Sequence, residues 1–109
     1  MLPASKRLSR TEFSSVFAAG RRFHSEHLTV IYAANSPTAA SVVVSKKVAK
    51  LAVVRNRLRR RAYTLLRPRV VTMPTGAYIV LYKAGSALIP RRTLATELSE
   101  LLAKIEKAR

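Results

Sequence analysis

The chain of 109 residues has no cysteine, no tryptophan and no aspartate, and its acids are five glutamates, at positions 12, 26, 97, 100 and 106. Lack of cysteine excludes disulfides, thiolate nucleophiles and Cys-ligated zinc. With so few acids there is no carboxylate cluster to hold a pair of metals for phosphodiester cleavage, and no nucleophile paired with a base. A nuclease working through its own side chains is therefore disfavoured. No apolar run approaches the roughly 18 residues of a membrane span. The start, Met1-Leu2-Pro3-Ala4-Ser5-Lys6-Arg7, lacks the apolar centre of a signal peptide, so a cytoplasmic protein is expected.

Positive charge is abundant instead. Lys and Arg number 21, the formal net charge is +16 and the pI is near 11.6. Such self-repulsion makes sense chiefly where a polyanion neutralises it, and nucleic acid leads the candidates. Fourteen of the 21 cations are arginine, whose planar fork pairs phosphate oxygens bidentately and stacks on bases. A helix lying on an anionic membrane would need a free apolar face, often with Trp. Here the apolar 49% is spread along the chain and is needed for a core. The length suits one domain covering 1–109.

Ser9-Arg10-Thr11-Glu12 fits a capping box opening a helix over about Arg10 to Ala19. Phe13, Val16 and Phe17 give it helical spacing, Leu8 is placed to staple onto Phe13, and Gly20 offers a left-handed closing residue. Arg21-Arg22-Phe23-His24 offers a short first strand, and His27 to Ala34 reads as a second. Asn35-Ser36-Pro37-Thr38 signals a turn before a strand at Ala40–Ser45, which suggests a hairpin. From Ala52 the period becomes helical, with Val54, Leu58, Ala62 and Leu65 as the apolar stripe. Asn56, Arg60, Tyr63 and Arg67 lie opposite it, Arg57 and Arg59 on its shoulders, and Pro68 stops it. Thr75-Gly76 turns into Ala77–Tyr82, apolar enough to be buried on both faces and central in a sheet. Pro90 is placed in the first turn of a last helix with the stripe Leu94, Leu98, Leu101, Leu102 and Ile105. Glu97, Glu100 and Glu106 make this helix the least suited to nucleic acid. The order α-β-β-β-α-β-α predicts an α+β domain, one mixed sheet packed by helices.

Between Ser45 and Arg69 stand ten cations and no acid: Lys46, Lys47, Lys50, Arg55, Arg57, Arg59, Arg60, Arg61, Arg67 and Arg69. Solvated helix faces usually interleave acids with bases, and like charges at i, i+4 each cost a few tenths of a kcal/mol. Phosphate binding is the better account of the run. Asn56 has weak helix propensity and no evident packing role, which favours a contact. His24 and His27 do not complete a metal or acid–base site and read as ordinary surface positions.

Val44-Ser45-Lys46-Lys47-Val48 followed by Arg55-Asn56-Arg57-Leu58-Arg59-Arg60 resembles the signature of the bacterial ribonuclease P protein. The likeness extends over essentially the whole chain: Arg7-Leu8, the Phe13–Phe17 helix, the Tyr-Ile-Val strand and the amphipathic last helix. Seven residues separate Lys47 from Arg55 where six are typical, and Ala49 replaces a common glycine. The extra residue is expected in the loop before the helix. The resemblance implies a ribonucleoprotein that removes the 5′ leader of precursor tRNA, with hydrolysis carried by a catalytic RNA and its magnesium ions. It implies that Lys46, Lys47, Arg55, Asn56, Arg57, Arg59, Arg60 and Arg61 face that RNA, and that Phe13, Phe17 and Tyr32 line a cleft for the leader. For the three aromatics, simple burial in the core is the competing reading. A ribosomal-type structural RNA-binding protein or RNA chaperone is the alternative function.

Overall fold

The computed structural model describes residues 7–34 and 37–108. Its elements are α1 (Arg10–Ala19), β1 (Arg21–His24), β2 (Leu28–Ala33), β3 (Ala39–Val43), α2 (Ala52–Leu66), β4 (Ala77–Tyr82) and α3 (Arg91–Ala108), with a short 3-10 turn at Arg67–Arg69. One mixed sheet runs β1-β2-β4-β3. Strands β1, β2 and β4 are successively antiparallel, and β3 lies parallel to β4.

The capping box forms as expected. Ser9 Oγ accepts from the Glu12 N–H at 3.2 Å, and the Ser9 N–H donates to Glu12 Oε1 at 2.9 Å. These bonds hold the Glu12 carboxyl below the usual glutamate range. Gly20 departs from the expectation, because its φ of −70° is extended, not left-handed. Space is what demands glycine there: a Cβ would stand 2.6 Å from Ile31 Cγ2 and 2.7 Å from the Val16 carbonyl oxygen.

The expected hairpin between the second and third strands is also overturned. Ala33 and Ala39 both pair with Ala77, so β4 lies between β2 and β3. The two strands still reverse direction, but their link must cross two strand spacings, roughly 10 Å, where a tight turn crosses one. Asn35 and Ser36 of that turn signal lie outside the described residues. Central β4 is what makes the insertion favourable: an apolar strand flanked on both sides leaves no ladder bond and no side chain exposed.

Alternation divides the sheet into two faces. Leu28, Val30, Tyr32, Ala40, Val42, Tyr78, Val80 and Tyr82 pack with Leu58, Ala62, Tyr63 and Leu66 of α2 and with the whole predicted stripe of α3. Ile31, Ala77 and Ile79 on the other face pack with Val16 of α1, and Leu8 and Phe13 flank them. In α3, Pro90 precedes the helix, its carbonyl accepting from Leu94 N–H at 3.0 Å; it does not stand in the first turn.

Tyr63 was placed on the outer face of α2 by the sequence pattern and is instead buried, 6% exposed. The buried face, Leu58, Ala62, Tyr63 and Leu66, is turned roughly 60° from Leu58 toward Tyr63 at 100° per residue. Its hydroxyl accepts the N–H of Val42 at 3.0 Å, satisfying a donor on the outer edge of β3. Tyr82, whose phenol burial pushes up to about 12, donates to the Leu58 carbonyl at 2.8 Å. Two tyrosines thus pin α2 to the sheet.

His27 is no ordinary surface residue either. Its Nδ1 lies 2.5 Å from Glu97 Oε2, while Glu97 Oε1 accepts from Ser25 Oγ at 2.5 Å and from the His27 N–H at 2.8 Å. The β1–β2 turn is thereby tied to α3. Burial raises the Glu97 carboxyl, but the bonds from Ser25 and His27 outweigh it and hold the group below its ordinary value. Its stabilisation is therefore present above the unfolded-state pKa and is lost as pH falls through the lower folded value.

Replacing Glu97 by Gln is expected to cost about 1–3 kcal/mol near neutrality. In urea titrations repeated from about pH 6 to about pH 3, the difference between wild type and E97Q should shrink; a constant difference would contradict the linkage. G20A should destabilise by about 1–3 kcal/mol through overpacking, read from the urea midpoint, whereas a left-handed glycine with open space around it would lose less.

Candidate nucleic-acid interface

The segment after β3 is held at both ends by buried Val44 and Val48. Ser45, Lys46 and Lys47 are exposed between them, and the Ser45 carbonyl accepts from the N–H groups of Val48 and Ala49 at 3.0 and 3.3 Å. This one-turn loop presents both lysines outward. Leu51 and Val53, 65% and 59% exposed, stand next to it at the start of α2. Sequence patterning did not single them out, because exposure of an apolar side chain leaves no periodic signal.

Helix α2 runs unbroken from Ala52 to Leu66, so Arg55, Asn56, Arg57, Arg59, Arg60 and Arg61 share one continuous helix. Arg55 closes that loop: its Nη1 donates to the carbonyls of Ala49 at 2.9 Å and Lys50 at 2.6 Å. Asn56 accepts a hydrogen bond from Arg59 through its Oδ1, which orients that guanidinium. Arg57 and Arg60 are exposed, Arg59 and Arg61 half-buried. Arg57, Arg60 and Arg61 converge with Arg91 of α3 on a pocket of about 360 Å³ floored by Leu65 and Leu94. Arg91 does not stand out in the sequence, because the glutamates of α3 mark that helix as unsuited to nucleic acid. The Arg91-Arg92 pair, with no acid before Glu97, was the available signal.

The aromatic group divides. Phe13 and Phe17 stack on α1 with ring centroids 5.9 Å apart and planes 19° apart, and Phe17 is 43% exposed. The Arg22 guanidinium lies 5.0 Å from the Phe17 centroid and donates to the Phe17 carbonyl at 3.2 Å. Arg22 and His24 pair with Ile31 and Thr29, which places them on the same sheet face as α1. Tyr32 is not brought to this group. It is buried on the opposite face, its ring 5.0 Å from that of Tyr78 and its hydroxyl donating to the Thr75 carbonyl at 2.6 Å. Strand alternation, applied to Tyr32 against Ile31, would have separated it from α1.

Chemically, the α2 side offers guanidinium forks and lysines to phosphates, and the α1 side offers an aromatic stack beneath a cation to unpaired bases. Among the described residues no three His, Cys, Asp or Glu side chains gather as metal ligands, and no helix is long and apolar enough to cross a membrane.

A family model described as Ribonuclease P matches residues 2–106. The ribonuclease P protein component of Microcystis aeruginosa is 34% identical over 94% of this chain and 92% of its own length. That of a Pseudanabaena species is 37% identical over 95% and 94%. The solved ribonuclease P protein of Staphylococcus aureus superposes with a TM-score of 0.81 at 20% identity, covering 94% of this chain and 95% of that one. The Thermotoga maritima protein gives 0.79 at 24% identity, covering 90% and 96%. Both structures share the fold, and with the sequence matches spanning nearly the full length, the chain belongs to the ribonuclease P protein family.

Proposed function

We propose that this protein works in the cytoplasm as the RNA-binding subunit of ribonuclease P, binding the catalytic RNA with one face and the 5′ leader of precursor tRNA with the other. The observation that carries this is the separation of two different RNA-binding chemistries by one sheet. Arg57, Arg60 and Arg61 of α2 lie on one side. The Phe13–Phe17 stack under Arg22 lies on the other.

The cationic side suits a structured, phosphate-dense RNA, since point charges and forks read backbone geometry and not bases. Lys46, Lys47, Arg57, Arg59, Arg60 and Arg61 supply contacts, Asn56 aims Arg59, and Arg55 chiefly shapes the loop. The α1 side suits a single strand, because stacking on an exposed ring accepts any base and a nearby cation tracks the backbone. Phe17 and Arg22 are its centre, with Phe13 backing the stack; Tyr32 has no part in it, since its hydroxyl and ring are engaged within the core. On this reading the metal ions of hydrolysis are held by the RNA subunit, and the protein binds and positions. A ribosomal-type structural protein or RNA chaperone is not favoured, because the family match spans nearly the whole chain.

Replacing Arg57 and Arg60 together by Ala should weaken binding to the catalytic RNA by about 10- to 100-fold and flatten its salt dependence, whereas Glu100→Ala should change it little. Equal effects in filter binding would count against the α2 interface. In the holoenzyme, F17A should lower affinity for leader-bearing precursor about tenfold, the scale of one base–aromatic stack, and leave mature tRNA affinity unchanged. Equal losses for both ligands would remove the leader from this face.

A further inference from the structure

The pocket between α2 and the start of α3 is built for more than surface phosphate contact. Four arginines, Arg57, Arg60, Arg61 and Arg91, line it, and Leu65 and Leu94 form its apolar floor. A phosphate group alone would fill only a fraction of its roughly 360 Å³, whereas the volume falls at the lower end of pockets for small organic molecules. Arg61 Nε is buried and has no hydrogen-bond partner among the described residues, an arrangement that ordinarily signals an absent acceptor. Arg91 comes from a different element, 30 positions beyond Arg61, so the cluster is not simply one side of a charged helix. No glutamate lines the cavity.

We propose that this pocket receives one unpaired, extruded nucleotide of the catalytic RNA. The base lies against Leu65 and Leu94, and the arginines hold its phosphate and the polar edge of the base. This rests on the reading of α2 as the catalytic-RNA side and adds that the contact is a socket for a single nucleotide, with Arg91 a member. Flat guanidinium groups suit both parts of such a ligand, because they stack on a base and fork onto phosphate oxygens. An extruded nucleotide would fix the register of the helix on the RNA, which phosphate contacts along a regular duplex leave loosely defined.

The test uses the full-length protein and its cognate catalytic RNA, comparing wild type with R57A, R91A, R91K and R92A. Arg92 is exposed and outside the socket, so R92A controls for loss of one charge. Binding should weaken about tenfold in R91A, less in R91K, and within about twofold in R92A. Acylation of 2′-hydroxyls should show an unpaired nucleotide protected by wild type and R92A but reactive again with R91A. If R57A weakens binding while R91A matches R92A, the socket is wrong and the α2 interface stands; if R57A is also without effect, the interface itself fails. Loss of affinity in R91A with an unchanged protection pattern would mean a bare charge effect and overturn the socket. Saturable binding of free AMP at these residues, with RNA affinity indifferent to R91A, would reassign the pocket to a free nucleotide and overturn the RNA assignment.

Discussion

Repulsion among 21 cations on 109 residues is the constraint from which the rest of the structure follows. A domain of this size can fold under that load only if the charges stay outside a continuous apolar interior and an external polyanion offsets them. Both conditions are visible. The α2 cations surround a buried face of Leu58, Ala62, Tyr63 and Leu66, and the internal acids are used sparingly. Glu97, the one buried glutamate, accepts from Ser25 and His27 and leaves the α2 arginines unpaired by it. Charge that is not neutralised from within remains available to RNA.

The sheet separates two surface chemistries. Because β4 is apolar on both faces, helices can pack on each side, and the two helical layers come to differ in chemistry. The α2–α3 side carries the guanidinium pocket. The α1 side is lighter, with one helix covering part of the sheet and Phe17 left exposed on its half-buried stacking partner Phe13. On the proposed reading, a folded RNA and a flexible single strand would meet opposite faces of the sheet, so that neither would compete for the other's contacts.

Much of this was legible in the sequence. The bounds of α1, the central place of β4, the stripe of α3 and the cationic run of α2 follow from capping chemistry and periodicity, which are local. What was misread depended on contacts distant in the chain. The β2–β3 hairpin failed because β4, arriving some forty residues later, takes the position between them. Tyr63 was set outside because an amphipathic pattern treats tyrosine as polar, while its hydroxyl is satisfied by a strand-edge N–H. Gly20 was assigned to backbone freedom, yet Ile31 and Val16 crowd it. For the interface, residue types are readable but not all of the grouping: Arg91 joins the α2 cluster only in three dimensions, whereas strand alternation is enough to set Tyr32 opposite Ile31 and apart from α1.

The central claim is that the protein assists an RNA that does the chemistry. Its most direct test is precursor-tRNA cleavage at low magnesium by the cognate catalytic RNA alone, by the protein alone and by both together. Leader removal strongly enhanced in the mixture, with none by the protein alone, is the expected result. Cleavage by the protein alone, or no enhancement in the mixture, would contradict it.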